Sequence, residues 1–315
     1  MSVGVLISHD IDDTDLEAVR SVSDLLDVRK AATLEEAVSQ AGDAEVIFAG
    51  HWSDDLWKAA PGLKWVQSWG AGVERFLTPD FVAAPITLTN AAGIYAVPIA
   101  EHVMAFILYF SRRFNRFVRW QSEHRWEWGE PDELAGKTVG IVGLGGIGSQ
   151  VARRAKAFDV RVIAVRNHPE KPSPDADEVR GPDGLDWLLT ESDYVALCAA
   201  LTPRTRHLIG AAQLQRMKPT AYLINIGRGA LVDEPALIKA LREGQIAGAG
   251  LDVFETEPLP QDSPLWDMPN VMVTPHNSGS SPRSFSRTMD LFRRNLERYL
   301  AGQQLLNVVD KAAGY

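Results

Sequence analysis

Cysteine is nearly absent from this sequence. Its 315 residues include one, Cys198, so no disulfide forms within the chain, and a reducing compartment is expected. Cys198 lies in the apolar run from Tyr194 to Leu201, where a thiol is expected to be a buried core residue. The N-terminal residues lack the basic segment and the long apolar stretch of a secretory signal. We therefore expect a cytoplasmic protein.

Positive charge and long apolar runs are also scarce. Lys and Arg number 32 against 41 Asp and Glu, which gives a formal net charge of -9. Such a surface repels nucleic acid and anionic lipid, so neither is an expected partner, although one local arginine still allows an anionic substrate. The longest apolar stretch, from Val97 to Phe110, is interrupted by Glu101 and His102 and is too short to span a membrane.

Short apolar runs that favour β-structure alternate with helix-like segments over nearly the whole chain. This alternation predicts parallel sheets covered by helices, and the length predicts two domains. Several runs are apolar at successive positions, as in strands that are buried on both faces. The predicted strands are Val3–Ser8, Glu45–Ala49, Leu63–Trp69, Ile86–Thr89, Val139–Val142, Arg161–Val165, Tyr194–Leu201, Ala221–Ile226, Ala249–Val253 and Val271–Thr274.

Two long helices stand out in the hydrophobic pattern. One is predicted from Pro98 to about Glu123, and it changes from apolar to basic and aromatic midway, as a connector between domains would. The other is predicted over Pro282 to Leu300, where apolar residues recur at helical spacing. The segment Asn167–Asp183, rich in proline and charge, is predicted to be a surface loop.

A glycine-rich motif directly follows the predicted strand that ends at Val142. Gly143, Gly145 and Gly148 fit the pattern GxGxxG, and helical spacing begins just after it. Strand, motif and helix in this order indicate a dinucleotide site. The first glycine allows a tight turn, the second lets the backbone approach a pyrophosphate, and the third lets helix and strand pack closely. We predict that the phosphates are bound by Gly143, Gly145, Gly146, Ile147 and Gly148.

The tip of the next predicted strand carries Arg166, eighteen residues after Gly148. An NAD site usually has an acidic residue there to bind the ribose 2′-hydroxyl, but no acid precedes Glu170. An arginine at this point can pair with a 2′-phosphate instead. We therefore predict that Arg166 and Asn167 bind the cofactor, with NADP(H) preferred and NAD(H) still possible.

Three polar residues follow three of the later predicted strands. In an open α/β sheet, ligands bind outside the carboxyl ends of the strands, so Arg228, Glu257 and His276 can reach one crevice beside a nicotinamide. Reduction of a 2-oxo acid needs a proton donor, which suits a histidine, and an adjacent carboxylate favours the imidazolium. Arginine offers a two-pronged donor for the substrate carboxylate. Glu255, two residues from Glu257, is a close competitor for the acidic role.

These residues together resemble the D-isomer-specific 2-hydroxyacid dehydrogenases. The resemblance runs from about Leu63 to Asn307, with several long motifs in the family's order. The motifs are the glycines from Gly143 to Gly148, Arg228 in NxxRGxxVDE, Glu257 in LDVFxxEPLP, His276 in TPH, Ser68–Val73, Asn90–Tyr95 and Ala100–His102.

The resemblance implies two Rossmann-like, doubly wound domains and a homodimer. A flavodoxin-like substrate domain would comprise residues 1–100 and 285–315, and an NAD(P)-binding domain residues 101–284. The backbone of Gly70, Ala71 and Gly72 would bind the substrate carboxylate, beside the roles given above to the three polar residues. We also place Trp52 in the substrate site, Asp252 near the nicotinamide carboxamide, and Thr202 and Ile226 in the cofactor site. No metal site is predicted.

Some features point to one branch of the family, and others depart from its pattern. Arg166 and the short N-terminal region look most like the glyoxylate/hydroxypyruvate reductase branch, which favours NADPH. The segment Cys198–Thr202 lacks the family's usual proline, and Asn277 follows His276 where a more apolar pattern is common. Trp126 or Trp128 is a candidate to reach a partner subunit's site, with ordinary packing as the alternative.

Two other functions remain open from the sequence. One is a dehydrogenase of the same fold that acts on another small anion, such as formate or phosphite. The other is a regulatory protein that senses the dinucleotide, which the fold alone does not exclude. Turnover of a 2-oxo acid distinguishes both from the NADPH-dependent reductase.

Overall fold

The computed structural model describes residues 2–314, which form two compact units. The first unit runs to Tyr95 and resumes at Ser281, and the second runs from Ala96 to Ser280. Within the described residues, every helix is too short or too polar to cross a lipid bilayer.

Strands and helices alternate along most of the chain. The strands are β1 (Val3–Ser8), β2 (Leu26–Ala31), β3 (Val46–Ala49), β4 (Trp65–Ser68), β5 (Thr87–Thr89), β6 (Thr138–Val142), β7 (Arg161–Val165), β8 (Glu178–Arg180), β9 (Tyr194–Leu197), β10 (Tyr222–Asn225), β11 (Gly248–Leu251) and β12 (Val271–Val273). The helices are α1 (Asp13–Arg20), α2 (Leu34–Gln40), α3 (Asp54–Lys58), α4 (Pro79–Ala83), α5 (Ala96–Ser111), α6 (Phe114–Ser122), α7 (Gly146–Lys156), α8 (Leu185–Glu191), α9 (Ala211–Arg216), α10 (Glu234–Arg242) and α11 (Ser284–Leu300).

The first unit is built on a parallel sheet with the strand order β2-β1-β3-β4-β5. This is the order of a flavodoxin-like fold and confirms that prediction. Successive residues of β1 are buried on opposite faces, because Leu6 packs into one core and Val5 and Ile7 pack into the other. The second core also contains Phe292 of α11, so the C-terminal helix completes the unit that the N-terminal residues begin.

The second unit has a seven-stranded parallel sheet in the order β12-β11-β10-β9-β6-β7-β8. The strand order reverses between β6 and β9, as it does in a Rossmann fold, which confirms the predicted class. Ligands of such sheets bind at the carboxyl ends of the two strands on either side of this reversal. The segments that follow β6 and β9 therefore mark the expected nucleotide crevice.

Two local predictions were wrong, and one strand was not predicted. The long helix predicted from Pro98 is two helices, α5 and α6, because Arg113 between them adopts a left-handed conformation with φ of 60°. A single residue of that kind does not alter hydrophobic periodicity. The loop predicted at Asn167–Asp183 contains the edge strand β8, and β2 was not predicted at all. Both are edge strands in which few residues are fully buried, so their sequences lack the apolar run of a buried strand.

Candidate active site

The glycine motif forms a tight turn between β6 and α7. Gly143 has φ of +97°, and a Cβ atom there would lie 2.6 Å from the backbone nitrogen of Ala199, just after β9. Gly148 packs so closely that an added Cβ would lie 2.2 Å from the Gly143 carbonyl oxygen. Both positions therefore require glycine for reasons of packing and backbone conformation. The turn after β6 therefore packs directly against the segment that follows β9.

Gly145 differs from the other two glycines because it faces open space. It lies at the N-terminal cap of α7, and no heavy atom of the described residues comes within 4 Å of a Cβ built there. The first backbone N–H groups of a helix lack partners within the helix and attract anions. The residues present thus fit a dinucleotide pyrophosphate, which would lie against Gly145 and the start of α7, where Gly146 and Ile147 are located.

Arg166 lies at the carboxyl end of β7, beside the glycine motif. Its guanidinium donates a hydrogen bond to the Leu144 carbonyl oxygen (3.4 Å) and another to the Lys171 carbonyl oxygen. Its buried Nε atom has no hydrogen-bond partner among the described residues. The side chain is therefore held next to the turn that would carry the cofactor, and Asn167 follows it directly.

Arg228 follows β10 on a loop that is fixed by Asn225. The Asn225 side chain donates to the Arg228 carbonyl oxygen (2.9 Å) and accepts from the backbone N–H of Gly227 (3.1 Å). At Gly229, a Cβ atom would lie 1.8 Å from the backbone of Phe254. Only glycine permits this approach, which brings the Arg228 loop against the loop that carries Glu257.

Glu257 and His276 are in side-chain contact at the carboxyl edge of the second sheet. Nδ1 of His276 lies 2.7 Å from Oε2 of Glu257, and Oε1 of Glu257 accepts from the backbone N–H of Phe254 (3.0 Å). The bond to Glu257 leaves Nε2 of the imidazole available for another partner. Glu255, the competitor, is instead paired with His207 at 2.7 Å. The structure thus brings His276 together with Glu257 rather than with Glu255.

Asp252 is fully buried beneath the His276 loop and holds that loop in place. Its carboxylate accepts from the hydroxyl of Thr274 (2.5 Å) and from the backbone N–H groups of Asn277 (3.0 Å) and Ser278 (2.9 Å). The backbone N–H of His276 donates to the Asp252 carbonyl oxygen (2.8 Å). His276 adopts φ of 51°, a left-handed conformation that this network stabilises.

His102 extends the same network from helix α5. Its Nε2 atom lies 3.0 Å from the hydroxyl oxygen of Thr274. Since that hydroxyl donates to Asp252, its oxygen accepts from the imidazole N–H. Burial lowers the pKa of His102, with Asp252 opposing the shift, so the ring is neutral and retains one N–H to donate. The sequence placed His102 in a family motif but gave it no role.

The remaining predicted cofactor residues follow β9 and β10. Thr202 lies in a turn where its backbone N–H donates to the hydroxyl of Thr205 (2.7 Å), and Ile226 is buried directly after β10. Cys198, predicted to be a core thiol, is half-buried, and desolvation raises its pKa to about 12. Its thiol therefore stays protonated near neutral pH.

The predicted substrate residues lie at the carboxyl edge of the first sheet. The carbonyl oxygen of Gly70 accepts from the backbone N–H of Ala91 (3.0 Å), and that of Ala71 accepts from the Asn90 side chain (2.9 Å). These bonds fix the segment that Gly72 completes. Trp52 packs on Phe76, at a ring distance of 4.7 Å, and its buried Nε1 atom has no partner within residues 2–314.

Two histidines that the sequence did not single out lie at the point where the first sheet reverses its strand order. His9 follows β1, and its ring lies 6.1 Å from that of His51, which follows β3. His9 also packs on Trp69 at 4.4 Å. Burial lowers the pKa of His9, and the neighbouring His51 lowers it further. The signal for both was their position directly after adjacent strands.

The sequence of this chain is similar to those of known proteins. Residues 104–278, more than half of the chain, match the model of the family described as D-isomer specific 2-hydroxyacid dehydrogenase, NAD binding domain. A glyoxylate reductase from Korarchaeum cryptofilum is 38% identical over 268 residues, which cover 82% of this chain and 79% of that protein. A glyoxylate/hydroxypyruvate reductase B from Pectobacterium carotovorum is 39% identical over 271 residues, covering 84% and 80% respectively.

One solved structure is similar to this protein over the whole chain. It is the NADPH-dependent glyoxylate/hydroxypyruvate reductase from Sinorhizobium meliloti in complex with NADP and sulfate. Its TM-score with this protein is 0.88 at 30% sequence identity, and the match covers 100% of both chains.

Proposed function

Because this chain belongs to the D-isomer-specific 2-hydroxyacid dehydrogenase family, we propose that it reduces a small 2-oxo acid to the D-2-hydroxy acid with NADPH. Glyoxylate and hydroxypyruvate are the proposed substrate type. The observation that carries this proposal is the His276–Glu257 pair at 2.7 Å beside the Arg228 loop. The names of the similar reductases support the choice of substrate and cofactor.

The proposed chemistry divides among three side chains. The reduced nicotinamide, when bound, supplies the hydride that the substrate C2 atom accepts. His276 gives its Nε2 proton to the C2 oxygen, so that the carbonyl becomes a hydroxyl. Glu257 orients the imidazole through Nδ1 and stabilises its protonated form before transfer. Arg228 binds the substrate carboxylate with its two-pronged guanidinium.

Asp252 and His102 are positioning residues in this proposal. Asp252 holds the backbone of the His276 loop, and His102 holds Thr274 against Asp252. We assign dinucleotide binding to the second unit and place the substrate-binding segment Gly70–Gly72 in the first. Trp52 stays a prediction as a substrate contact, as do Thr202 and Ile226 as cofactor contacts.

The preference for NADPH is proposed to depend on Arg166. Its location beside Leu144 and the absence of an acidic side chain at the tip of β7 support this role. We expect Arg166→Ala to raise the Kd for NADPH by about tenfold or more, the worth of a charge-assisted hydrogen bond, while that for NADH changes little. Fluorescence titration with both cofactors measures this. An equal loss for NADH and NADPH would remove the assignment.

We also propose that two copies of this chain form a homodimer through α6 and the segment after it. Trp126 and Trp128 are 98% and 92% exposed, and Phe114 and Val118 of α6 are also exposed, an unusual amount of apolar surface for one region of a monomer. Light scattering should give twice 34.6 kDa for the wild type. The double variant Trp126→Ala, Trp128→Ala should give the single mass, whereas Trp266→Ala, which removes another exposed tryptophan, should not.

The reductase proposal is tested by the turnover of His276→Ala with NADPH and glyoxylate or hydroxypyruvate. We expect turnover to fall by about a thousandfold or more, because the proton donor is lost, while the Kd for NADPH stays within about twofold. Retention of most of the activity would remove His276 as the proton donor. If the wild type binds NADPH but reduces neither acid, a sensing role is favoured instead.

A further inference from the structure

The first unit has an edge at which a fold of its kind binds ligands. Its strand order, β2-β1-β3-β4-β5, changes direction between β1 and β3. In open parallel sheets, ligands bind at the carboxyl ends of the two strands on either side of such a reversal. His9 follows β1 directly, and His51 follows β3 after Gly50. Both imidazoles therefore belong to the segments that form this edge.

Gly50 allows the ring of His9 to lie against the segment that follows β3. A Cβ atom at Gly50 would lie 2.6 Å from Nδ1 of His9, so any other residue there would displace the imidazole. The ring of His9 also packs on Trp69 and on Phe285 of α11, with centroid distances of 4.4 Å and 6.2 Å. These contacts hold the imidazole in place, although it belongs to a loop.

His9 has a hydrogen-bonding capacity that the protein does not use. Neither of its ring nitrogens makes a hydrogen bond with any residue from 2 to 314, and neither nitrogen is fully buried, so a ligand can reach them. Burial lowers the pKa of His9, and the nearby His51 lowers it further, while Asp10 opposes the shift. The ring is therefore neutral near neutral pH, with one N–H donor and one acceptor nitrogen.

His51 lies beside His9 and has a defined tautomer. The two ring centroids are 6.1 Å apart. Nε2 of His51 lies 3.0 Å from the carbonyl oxygen of Ala32, which can only accept, so this nitrogen carries a proton. In the neutral ring, Nδ1 is then an acceptor. The backbone of His51 is fixed by Ser8, which accepts from its N–H (2.7 Å) and donates to its carbonyl oxygen (3.1 Å).

Arg75 connects this segment to the proposed substrate-binding loop. It lies just after Gly70–Gly72, and its guanidinium donates to the carbonyl oxygens of Ala49 (2.8 Å) and Gly50 (3.0 Å). The backbone N–H of Trp69 also donates to the Ala49 carbonyl oxygen (3.2 Å). Since Trp69 directly precedes Gly70 and packs on His9, the two histidines are held beside the loop to which we assign the substrate carboxylate.

The chemistry of these rings favours a hydroxyl group as their ligand. A neutral imidazole offers one donor and one acceptor, which is what a hydroxyl group needs, but no charge with which to bind a phosphate group. A site built to bind a hydroxyl group also rejects the analogue that lacks it, because its own polar groups then stay unpaired. In a small 2-oxo acid held by its carboxylate, the variable group is the substituent at C3.

We propose that His9 and His51 form the subsite for a hydroxyl group on C3 of the substrate, so that the protein prefers 3-hydroxy-2-oxo acids such as hydroxypyruvate. His9 donates its N–H to the hydroxyl oxygen, and Nδ1 of His51 accepts from the hydroxyl. Arg75 is a positioning residue, because it acts through the backbone that carries His51. The inference rests on the proposed function, which assigns the substrate carboxylate to Gly70–Gly72.

Steady-state oxidation of NADPH with hydroxypyruvate, pyruvate and glyoxylate tests this subsite. Pyruvate differs from hydroxypyruvate only in lacking the hydroxyl oxygen, and glyoxylate has no C3 atom. We expect kcat/KM of the wild type to be at least about tenfold higher for hydroxypyruvate than for pyruvate. His9→Leu should lower kcat/KM for hydroxypyruvate by about fivefold, the worth of one neutral hydrogen bond, and leave the values for the other two acids within about twofold.

Two further variants separate hydrogen bonding from packing. His9→Gln keeps a donor and an acceptor, so it should retain part of the preference that His9→Leu loses. Phe285→Leu is the matched control, because it removes a ring that packs on His9 but no hydrogen-bonding group, and it should keep the preference within about twofold. Calorimetric titration of D-glycerate and D-lactate into the complex with NADPH, in which neither acid can react, should show the same order of affinity without turnover.

The outcomes distinguish this subsite from the proposed function. Equal kcat/KM for hydroxypyruvate and pyruvate in the wild type, or a loss in His9→Leu that is the same for all three acids, would overturn the subsite and leave the reductase proposal intact. If the wild type reduces none of the three acids, the proposed function fails and the subsite fails with it. Melting curves show whether each variant is folded. If His9→Leu does not fold, the wild-type preference for hydroxypyruvate and the His9→Gln variant decide the question.

Discussion

Replacing Glu257 by glutamine tests the role of the carboxylate without removing its shape. Oε1 can still accept from the backbone N–H of Phe254, so the loop should keep its conformation. What changes is the charge at 2.7 Å from Nδ1 of His276. Loss of this charge should impair stabilisation of the imidazolium that donates the proton.

The expected magnitude follows from this distance. The two side chains are 47% and 35% exposed, so solvent screens the pair strongly. With the dielectric constant of water, unit charges at this separation attract by about 1.5 kcal/mol, and a lower dielectric constant gives more. A loss of about 1.4 kcal/mol in the transition state lowers kcat about tenfold. We therefore expect Glu257→Gln to reduce kcat by at least about tenfold.

The assay is steady-state oxidation of NADPH with saturating 2-oxo acid, together with the Kd for NADPH by fluorescence. Glu255→Gln is the matched control, because Glu255 pairs with His207 and lies two residues away. We expect the control to keep kcat within about twofold. Equal losses in both variants, or an unchanged kcat in Glu257→Gln, would refute the assignment of the carboxylate.

Three further predictions follow from single contacts. Gly145→Ala should weaken NADPH binding about tenfold or more in a fluorescence titration without lowering the melting temperature, because its Cβ fills only open space. Gly148→Ala should instead lower the melting temperature, since its Cβ would lie 2.2 Å from a carbonyl oxygen. Asp252→Asn should cost about 1–3 kcal/mol in the free energy of unfolding, measured with urea, because its amide leaves a buried backbone N–H unpaired. Cys198, with a pKa of about 12, should react with a thiol reagent at pH 8 at least about a hundredfold more slowly than in urea, and an equal rate would contradict the raised pKa.

The fold was predictable because its signals are long and repeated. Buried parallel strands are apolar at successive positions, and ten of them were predicted close to their observed bounds. The edge strands β2 and β8 were missed, because few of their residues are fully buried and their sequences are correspondingly polar. The break at Arg113 was missed because it depends on one backbone dihedral angle.

The candidate site was predictable where a residue acts from the end of a strand. His276 and Glu257 were paired in the prediction, and the structure places their side chains in contact. Sequence spacing could not decide whether Glu257 or Glu255 pairs with His276. In the structure, Glu255 is bonded to His207 instead. The buried network from His102 to Asp252 was not predictable, because it joins residues 150 positions apart through the hydroxyl of Thr274.

The central claim is that this protein reduces a small 2-oxo acid with NADPH. The measurement that tests it most directly is the loss of reduced-nicotinamide absorbance, with NADPH and NADH in parallel, against glyoxylate, hydroxypyruvate, pyruvate and phenylpyruvate. We predict rapid oxidation of NADPH with glyoxylate or hydroxypyruvate, and slower oxidation of NADH. No oxidation of either cofactor with any of the four acids, by protein that binds NADPH, would contradict the claim.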